Sequence, residues 1–419
     1  MDYRLTAPHK IDASIQLPPS KSVAARAVVI NAIQGIVPVI PPGACDDVNI
    51  IASALLGSDY HINVGASGTA MRFLTAYYAA HQGQSVIIDG SDRLRQRPIA
   101  PLVDALRCMG ADITYLDKEG FPPLQITGKR LSADIVSIDG SLSSQYVSAL
   151  LMIAPTVGGF TLDIKGTAVS RPYIDLTVAM MRKAGAEVSD GEGQIMVADK
   201  PYCNTLDPLA DADWSAAVYW FAWQALLPDS HIVLKGLRTG SFQADEGILS
   251  LSSALGVTAS WIGEDLHLTG GNQCKVPLEL DMRAMPDMVP AIVVALCLKN
   301  NPFTISGVQN LRIKESDRIA ALQQELAKLG YILHTPDAST ITYDGSTMPV
   351  SNTIIDTHND HRIAMAMALA ATRHHDITIT NAQVVAKSYP HHWRDLTAAL
   401  NRTRTEEQDK LVVGRIVAG

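Results

Sequence analysis

The sequence predicts an α/β protein in which one small α/β unit recurs and its copies gather into two larger domains. Three observations carry that expectation. The chain has 419 residues, about three times an ordinary domain, so a single small core is excluded. Hydrophobic residues make up 47% and charged residues 18%, which is enough apolar material for sizeable cores and too little charge for a disordered chain. An amphipathic helical pattern also repeats at near-constant spacing, with short β-branched segments between its copies.

The repeated helix reads LVDALRCMGADI at 102–113, LTVAMMRKAGAEV at 176–188, ILSLSSALGVTAS at 248–260 and AALQQELAKLGYIL at 320–333. Each copy has apolar residues at i, i+3, i+4 and i+7, stops on a glycine suited to the C′ position, and turns into a strand. Gly110, Gly185, Gly256 and Gly330 are spaced by 75, 71 and 74 residues. A shorter relative, IIASALLGSDYHI, lies at 50–62. Such a period predicts stacked subdomains, each too small to bury its own apolar face. The strand candidates are SVIID (85–89), FTLDI (160–164), HIVLKG (231–236), LHLTG (266–270) and FTISG (303–307). No long linker separates them. The tail from Arg402 is polar, then apolar, and points to no function.

A net charge of −8 argues against a general nucleic-acid binder but leaves room for a local basic pocket. The five cysteines, Cys45, Cys108, Cys203, Cys274 and Cys297, show no CxxC or Cys/His metal spacing, so reduced thiols in a cytoplasmic protein are expected. The opening MDYRLTAPHK lacks a signal-peptide pattern. The longest apolar run, Ile363 to Ala371, is nine residues and too short to span a bilayer. No metal site, P-loop or dinucleotide fingerprint is expected, and the histidine pairs His374–His375 and His391–His392 read as surface residues.

The basic residues are the informative ones. In PPSKSVAAR, Ser20 or Ser22 suits an N-cap, which puts Lys21 at a helix start and Arg26 one turn in. Cations there oppose the helix macrodipole. The same placement recurs at Arg72 in GASGTAMR, at Lys314 and Arg318 in KESDR, and at His361 and Arg362 in NDHR. Four such starts in an acidic protein predict anionic ligands held by helix N-termini and fixed cations. The loop DGSDRLRQRPIAPL adds Arg93, Arg95 and Arg97, whose planar forks fit carboxylate or phosphate oxygens. Ser143, Ser144 and Gln145, with Ser170 and Tyr173, suit a polyhydroxylated or phosphorylated ring. Asp287 beside an apolar run is either a helix cap or a tuned acid–base group. Lys314 and Glu315 adjoin, as proton transfer at a polarised carbon would need, and Lys387 sits at a strand-to-loop transition.

Taken together, SKSVAAR (20–26), SGTAMR (67–72), LRQRPI (94–99), SSQ (143–145), SRPYID (170–175), Pro286–Asp287, NLRIKESDR (310–318), NDHR (359–362) and AKSYP (386–390) resemble the family of 5-enolpyruvylshikimate-3-phosphate synthases, or 3-phosphoshikimate 1-carboxyvinyltransferases. The resemblance covers nearly the whole chain in order. It implies transfer of the enolpyruvyl group of phosphoenolpyruvate to the 5-hydroxyl of shikimate 3-phosphate with release of phosphate. It implies no metal or organic cofactor, no nucleic-acid or membrane partner, and a monomer. The implied fold has two domains of repeated βαβαββ-type subdomains, helices inside and sheets outside. Residues 1–19 join 213–419 in one domain, and 20–212 form the other.

By the same resemblance Asp287, Glu315 and Lys21 are the catalytic residues. Asp287 takes the 5-hydroxyl proton, and Glu315 with Lys21 handles the enol methylene. Lys21, Ser22, Arg26, Ser143, Ser144, Gln145, Ser170, Tyr173, Asp287, Asn310 and Lys314 are the implied contacts of shikimate 3-phosphate. Lys21, Gly68, Arg97, Gln145, Arg318, Arg362 and Lys387 are those of phosphoenolpyruvate, with Arg72 nearby. Glyphosate occupies that second position in the family, and Gly68, lacking a side chain, leaves room for it.

Two departures stand out. Ala66 replaces a customary Asn. Asp46–Asp47 lies only about twenty residues before SGTAMR, about half the customary distance, so the first subdomain of the 20–212 domain is expected to be shortened by a strand pair. A sister transferase acting on UDP-N-acetylglucosamine would show Lys-Asn at 21–22 and a Cys within 89–100. This chain has Ser22 and no Cys between 46 and 107. A binding protein without catalysis would not need Asp287, Glu315 and Lys21 together.

Overall fold

The computed structural model describes residues 1–401 except 7–8, 41, 141–142, 167–169, 192 and 273–276; Cys274 and the tail from Arg402 lie outside the described residues. The chain divides into two compact units. Pro19–Asp211 with Phe242–Ala244 forms an inserted unit, and Met1–Pro18, Ala212–Ser241 and Asp245–Gly419 form a terminal unit.

The inserted unit holds helices α1 (Lys21–Ile33), α2 (Asp46–Leu56), α3 (Gly68–Ala80), α4 (Asp92–Arg95), α5 (Ala100–Cys108), α6 (Ser144–Ile153) and α7 (Arg171–Lys183). Its first sheet runs His61–Asn63, Ser85–Asp89, Leu124–Thr127, Asp112–Tyr115 in spatial order. The first two strands are parallel, joined through α3, and a hairpin closes the sheet antiparallel. Ile135–Asp139, Phe160–Lys165, Gln194–Val197 and Val188–Asp190 repeat that pattern with α6 and α7. Each is a βαβαββ unit, in which the parallel pair needs a helical crossover and the hairpin does not. Among the described residues, α1 and α2 have no sheet of their own.

The terminal unit holds α8 (Trp214–Leu226), α9 (Ile248–Leu255), α10 (Val289–Leu298), α11 (Arg318–Lys328) and α12 (His361–Met367). The N-terminal strand Asp12–Gln16 pairs parallel with His231–Lys235, so it opens a βαβαββ unit whose later parts follow the inserted unit in sequence. Leu278–Asp281, Phe303–Ser306, Thr340–Tyr343 and His334–Asp337 make the second copy. The third sheet is smaller, with Tyr3–Leu5 antiparallel to Ile377–Ile379 and Ile354–Ile355 parallel to it.

Burial separates two kinds of helix. α1, α3, α6, α8, α10 and α12 are buried around most of their circumference, including Trp214, Trp220 and Trp223 of α8. α5, α7, α9 and α11 keep a solvent face, which is why only these showed a clean amphipathic period. Strands such as Ile135–Asp139 alternate exposed and buried residues, the mark of a sheet with one wet face. Gly110, Gly185, Gly256 and Gly330 all take positive φ where their helices stop. The 50–62 segment differs: Gly57 is extended at φ −80°, so α2 ends without the left-handed stop. Among the described residues no helix is long and apolar enough to cross a membrane.

Candidate active site

In the inserted unit the start of α1 is pinned first. Ser20 caps it, accepting from the Val23 N–H at 3.5 Å, and donates to Gln243 at 2.7 Å. Gln243 donates in turn to Asp211 at 2.7 Å. Lys21 then stands with its Nζ 3.5 Å from Asp47, a buried carboxylate that the sequence offered only as a spacing mark. Ser22 accepts the Arg26 guanidinium on its carbonyl at 2.9 Å.

Arg26 is 2% exposed, and its other bonds go to Thr177 Oγ1 (2.7 Å), Ser148 Oγ (3.1 Å) and the Tyr173 carbonyl (3.2 Å). It therefore braces α1 against α6 and α7. Burial among neutral groups lowers its pKa to about 10, with Tyr173 opposing the shift.

Arg72 donates to Gln145 at 2.6 Å and lies over the Tyr146 ring, while Gln145 donates to Thr69 at 3.0 Å. Ser143 caps α6 through the Gln145 N–H at 3.3 Å, which leaves Ser144 buried as the first helical residue. Ser170 precedes α7 in a left-handed conformation, φ 57°, and its side chain makes no cap bond. A Cβ at Gly68 would lie 2.5 Å from Arg72 Nη1 and 2.8 Å from Arg97 Nη1. The glycine thus allows two guanidiniums to approach the start of α3. Of the three loop arginines, Arg95 instead pairs with Asp89 on the surface at 2.5 Å.

In the terminal unit, Asp287 does not cap α10. It sits on the Pro286–Met288 turn, with Oδ1 3.0 Å from Arg318 Nη1 and Oδ2 2.7 Å from Arg362 Nη2. Arg318 also meets Glu315 at 2.9 Å and Asp360 at 2.8 Å, and Lys387 stands 3.6 Å from Glu315. Burial would lower the pKa of Arg318, but Asp360, Glu315 and Asp287 outweigh it and carry it further up. Asn310 is buried on the Gln309–Ile313 turn, and Lys314 follows at its end.

Two sequence expectations need correction here. α11 begins at Arg318, so Lys314 lies before the helix rather than in its first turn. The cations that do start α11 and α12 follow carboxylate caps, Asp317 and Asp360, which offset the dipole penalty. His392 is fully buried against Tyr219, Tyr389 and Trp393 rather than on the surface, and burial pushes its pKa down to about 3.

Asp245 was not singled out by any motif. It accepts from Ser215 and is almost wholly buried; burial first, then the charge of Asp287, pushes its pKa up to about 7, with Arg362 and Ser215 opposing. Among the described residues no group of three His, Cys, Asp or Glu side chains could hold a metal ion.

The family model for EPSP synthase (3-phosphoshikimate 1-carboxyvinyltransferase) matches residues 46–396. A 3-phosphoshikimate 1-carboxyvinyltransferase of Bacteroides fragilis strain YCH46 is 43% identical over 403 residues, covering 95% of this chain and 98% of that one. One from Colwellia psychrerythraea is 33% identical over 418 residues, covering 92% and 96%. Among solved structures, an EPSP synthase from Acinetobacter baumannii superposes with TM-score 0.71 at 21% identity, covering 95% and 98%. The enolpyruvyl transferase NikO from Streptomyces tendae gives 0.70 at 16% identity, covering 94% and 96%; these two likenesses speak for the fold.

Proposed function

The chain belongs to the EPSP synthase family, and from that premise we propose which of its residues perform the reaction. The enzyme transfers the enolpyruvyl group of phosphoenolpyruvate to the 5-hydroxyl of shikimate 3-phosphate and releases phosphate. In our reading Asp287 accepts the hydroxyl proton while the oxygen forms its bond to C2 of phosphoenolpyruvate. Glu315 with Lys21 supplies the proton that turns the enol methylene into a methyl group. The adduct then loses phosphate from C2, and one methyl proton returns to the protein, restoring the enol. Arg97, Arg318, Arg362 and Lys387 stabilise the charge that develops on the transferring group. Lys21, Ser22, Ser143, Ser144, Gln145, Ser170, Tyr173, Asn310 and Lys314 hold the phosphoshikimate. Arg26 serves by bracing the helices that carry several of them.

The observation that carries this reading is the double arginine hold on Asp287. A carboxylate needed only as a cap would face backbone N–H groups, whereas this one is fixed by Arg318 and Arg362 beside Glu315. Phosphate release measured with and without shikimate 3-phosphate tests the activity; release only with both substrates is expected. We also propose a cytoplasmic monomer, because each unit gathers its own hydrophobic core and both substrates are small anions. Sedimentation at assay concentration reads the oligomeric state, with a dimer as the contrary result.

A further inference from the structure

One buried carboxylate of the terminal unit has no place in that chemistry. Glu325 is 1% exposed and lies on α11, two turns beyond Arg318. Its Oε1 accepts from His358 Nε2 at 2.8 Å, and its Oε2 accepts from Lys328 Nζ at 2.6 Å and the Asp356 N–H at 3.0 Å. His358 and Asn359 both take left-handed conformations, φ 51° and 55°. Residues with a Cβ disfavour that region, so two in succession need an external hold. Asp356 Oδ1 helps by accepting the His358 N–H at 2.8 Å, and the turn closes where the Asp360 N–H donates to the Thr357 carbonyl at 2.8 Å. The turn delivers Asp360, which caps α12 through the Arg362 N–H and accepts from Arg318 Nε. α11 therefore grips this turn twice, with Arg318 at its start and Glu325 two turns on.

We propose that Glu325 and His358 are positioning residues for the phosphoenolpyruvate clamp. By fixing the 356–359 turn they set Asp360, and through Asp360 the side chain of Arg318 and the backbone start that aims Arg362. The proposal rests on the reading that Arg318 and Arg362 hold phosphoenolpyruvate. Misplacing them should weaken that substrate selectively, because geometry rather than charge is lost.

Steady-state kinetics with each substrate varied separately provides the test, using Glu325→Gln, His358→Asn, their double variant, Lys328→Met and Arg362→Lys. Asn tolerates the left-handed backbone of residue 358 but is too short to reach Glu325. Glu325→Gln should raise KM for phosphoenolpyruvate about tenfold, with KM for shikimate 3-phosphate within about twofold. His358→Asn should raise the same constant less, and the double variant should be no worse than Glu325→Gln alone, as expected for two residues acting through one contact. Lys328→Met removes a different partner of Glu325, so it should lower the thermal midpoint without moving either KM. Equal increases in both KM values, or a Glu325→Gln variant that loses only thermal stability, would overturn the proposal. Should Arg362→Lys leave the phosphoenolpyruvate KM unchanged, the clamp reading beneath it falls. A raised KM in Arg362→Lys with none in Glu325→Gln sinks the positioning role alone.

Discussion

The two units bury arginines equally well and partner them in opposite ways. In the inserted unit Arg26 meets two hydroxyls and two carbonyls, and Arg72 meets the Gln145 amide beside the Tyr146 ring. In the terminal unit Arg318 alone meets three carboxylates, Asp287, Glu315 and Asp360. Burial accordingly pulls Arg26 down, whereas Arg318 goes up because the carboxylates outweigh burial. A repeated fold supplies equivalent helix starts, and the groups facing each start decide its chemistry. Neutral partners hold a guanidinium without offsetting its charge, and Arg26 so held braces three helices. Carboxylate partners offset part of that charge and are themselves fixed by it, as Asp287 is between Arg318 and Arg362.

The comparison breaks most readily at Asp360. Removing it with Asp360→Ala strips the buried Arg318 of a charged partner and should cost about 3–5 kcal/mol in urea unfolding. Arg26→Met removes only neutral hydrogen bonds and should cost about 1–3 kcal/mol. Equal losses would show that the two networks do not differ as described.

Asp245 sharpens the picture of the terminal unit through pH. Its ordinary value of 3.8 is raised to about 7 in the folded protein. Below pH 3.8 both folded and unfolded chains carry its proton, and no stability is lost. From there to about 7 only the folded chain keeps the proton, so stability falls as pH rises, and the loss is complete above 7. Asp245→Asn should therefore gain stability relative to the parent between pH 4 and 7 and level off beyond. A flat difference across that range contradicts the buried acid.

Arg97→Ala tests the inserted unit's share of the proposed phosphoenolpyruvate clamp. Losing one planar fork should raise KM for phosphoenolpyruvate about tenfold and change kcat less. Gly68→Ala should act more mildly, by about threefold to fivefold, because the new methyl meets side-chain atoms of Arg72 and Arg97 rather than backbone. Pushed arginines would weaken phosphoenolpyruvate and glyphosate together. A loss confined to glyphosate would show that the methyl occupies ligand space instead.

Much of the architecture was legible because solvent-facing helices advertise themselves. α5, α7, α9 and α11 show a 3.6-residue period and end on left-handed glycines, while the largely apolar α8 and the all-apolar α10 carry no period to read. What stayed hidden depends on tertiary partners. Arg26 reads as a helix-start cation, and only Thr177 and Ser148, more than a hundred residues away in sequence, make it a brace. His392 reads as polar surface beside His391 until Tyr219 and Tyr389 enclose it. Asp245 belongs to no motif, and its character comes from burial near Asp287.

The central claim of the proposed mechanism is that Asp287, held by Arg318 and Arg362, takes the 5-hydroxyl proton of shikimate 3-phosphate. Asp287→Ala, measured for turnover and for shikimate 3-phosphate affinity by calorimetry, tests it most directly. The account predicts a kcat lower by about two orders of magnitude or more with phosphoshikimate still bound. A variant that keeps its turnover and loses phosphoshikimate affinity instead would make Asp287 a binding group and contradict the account.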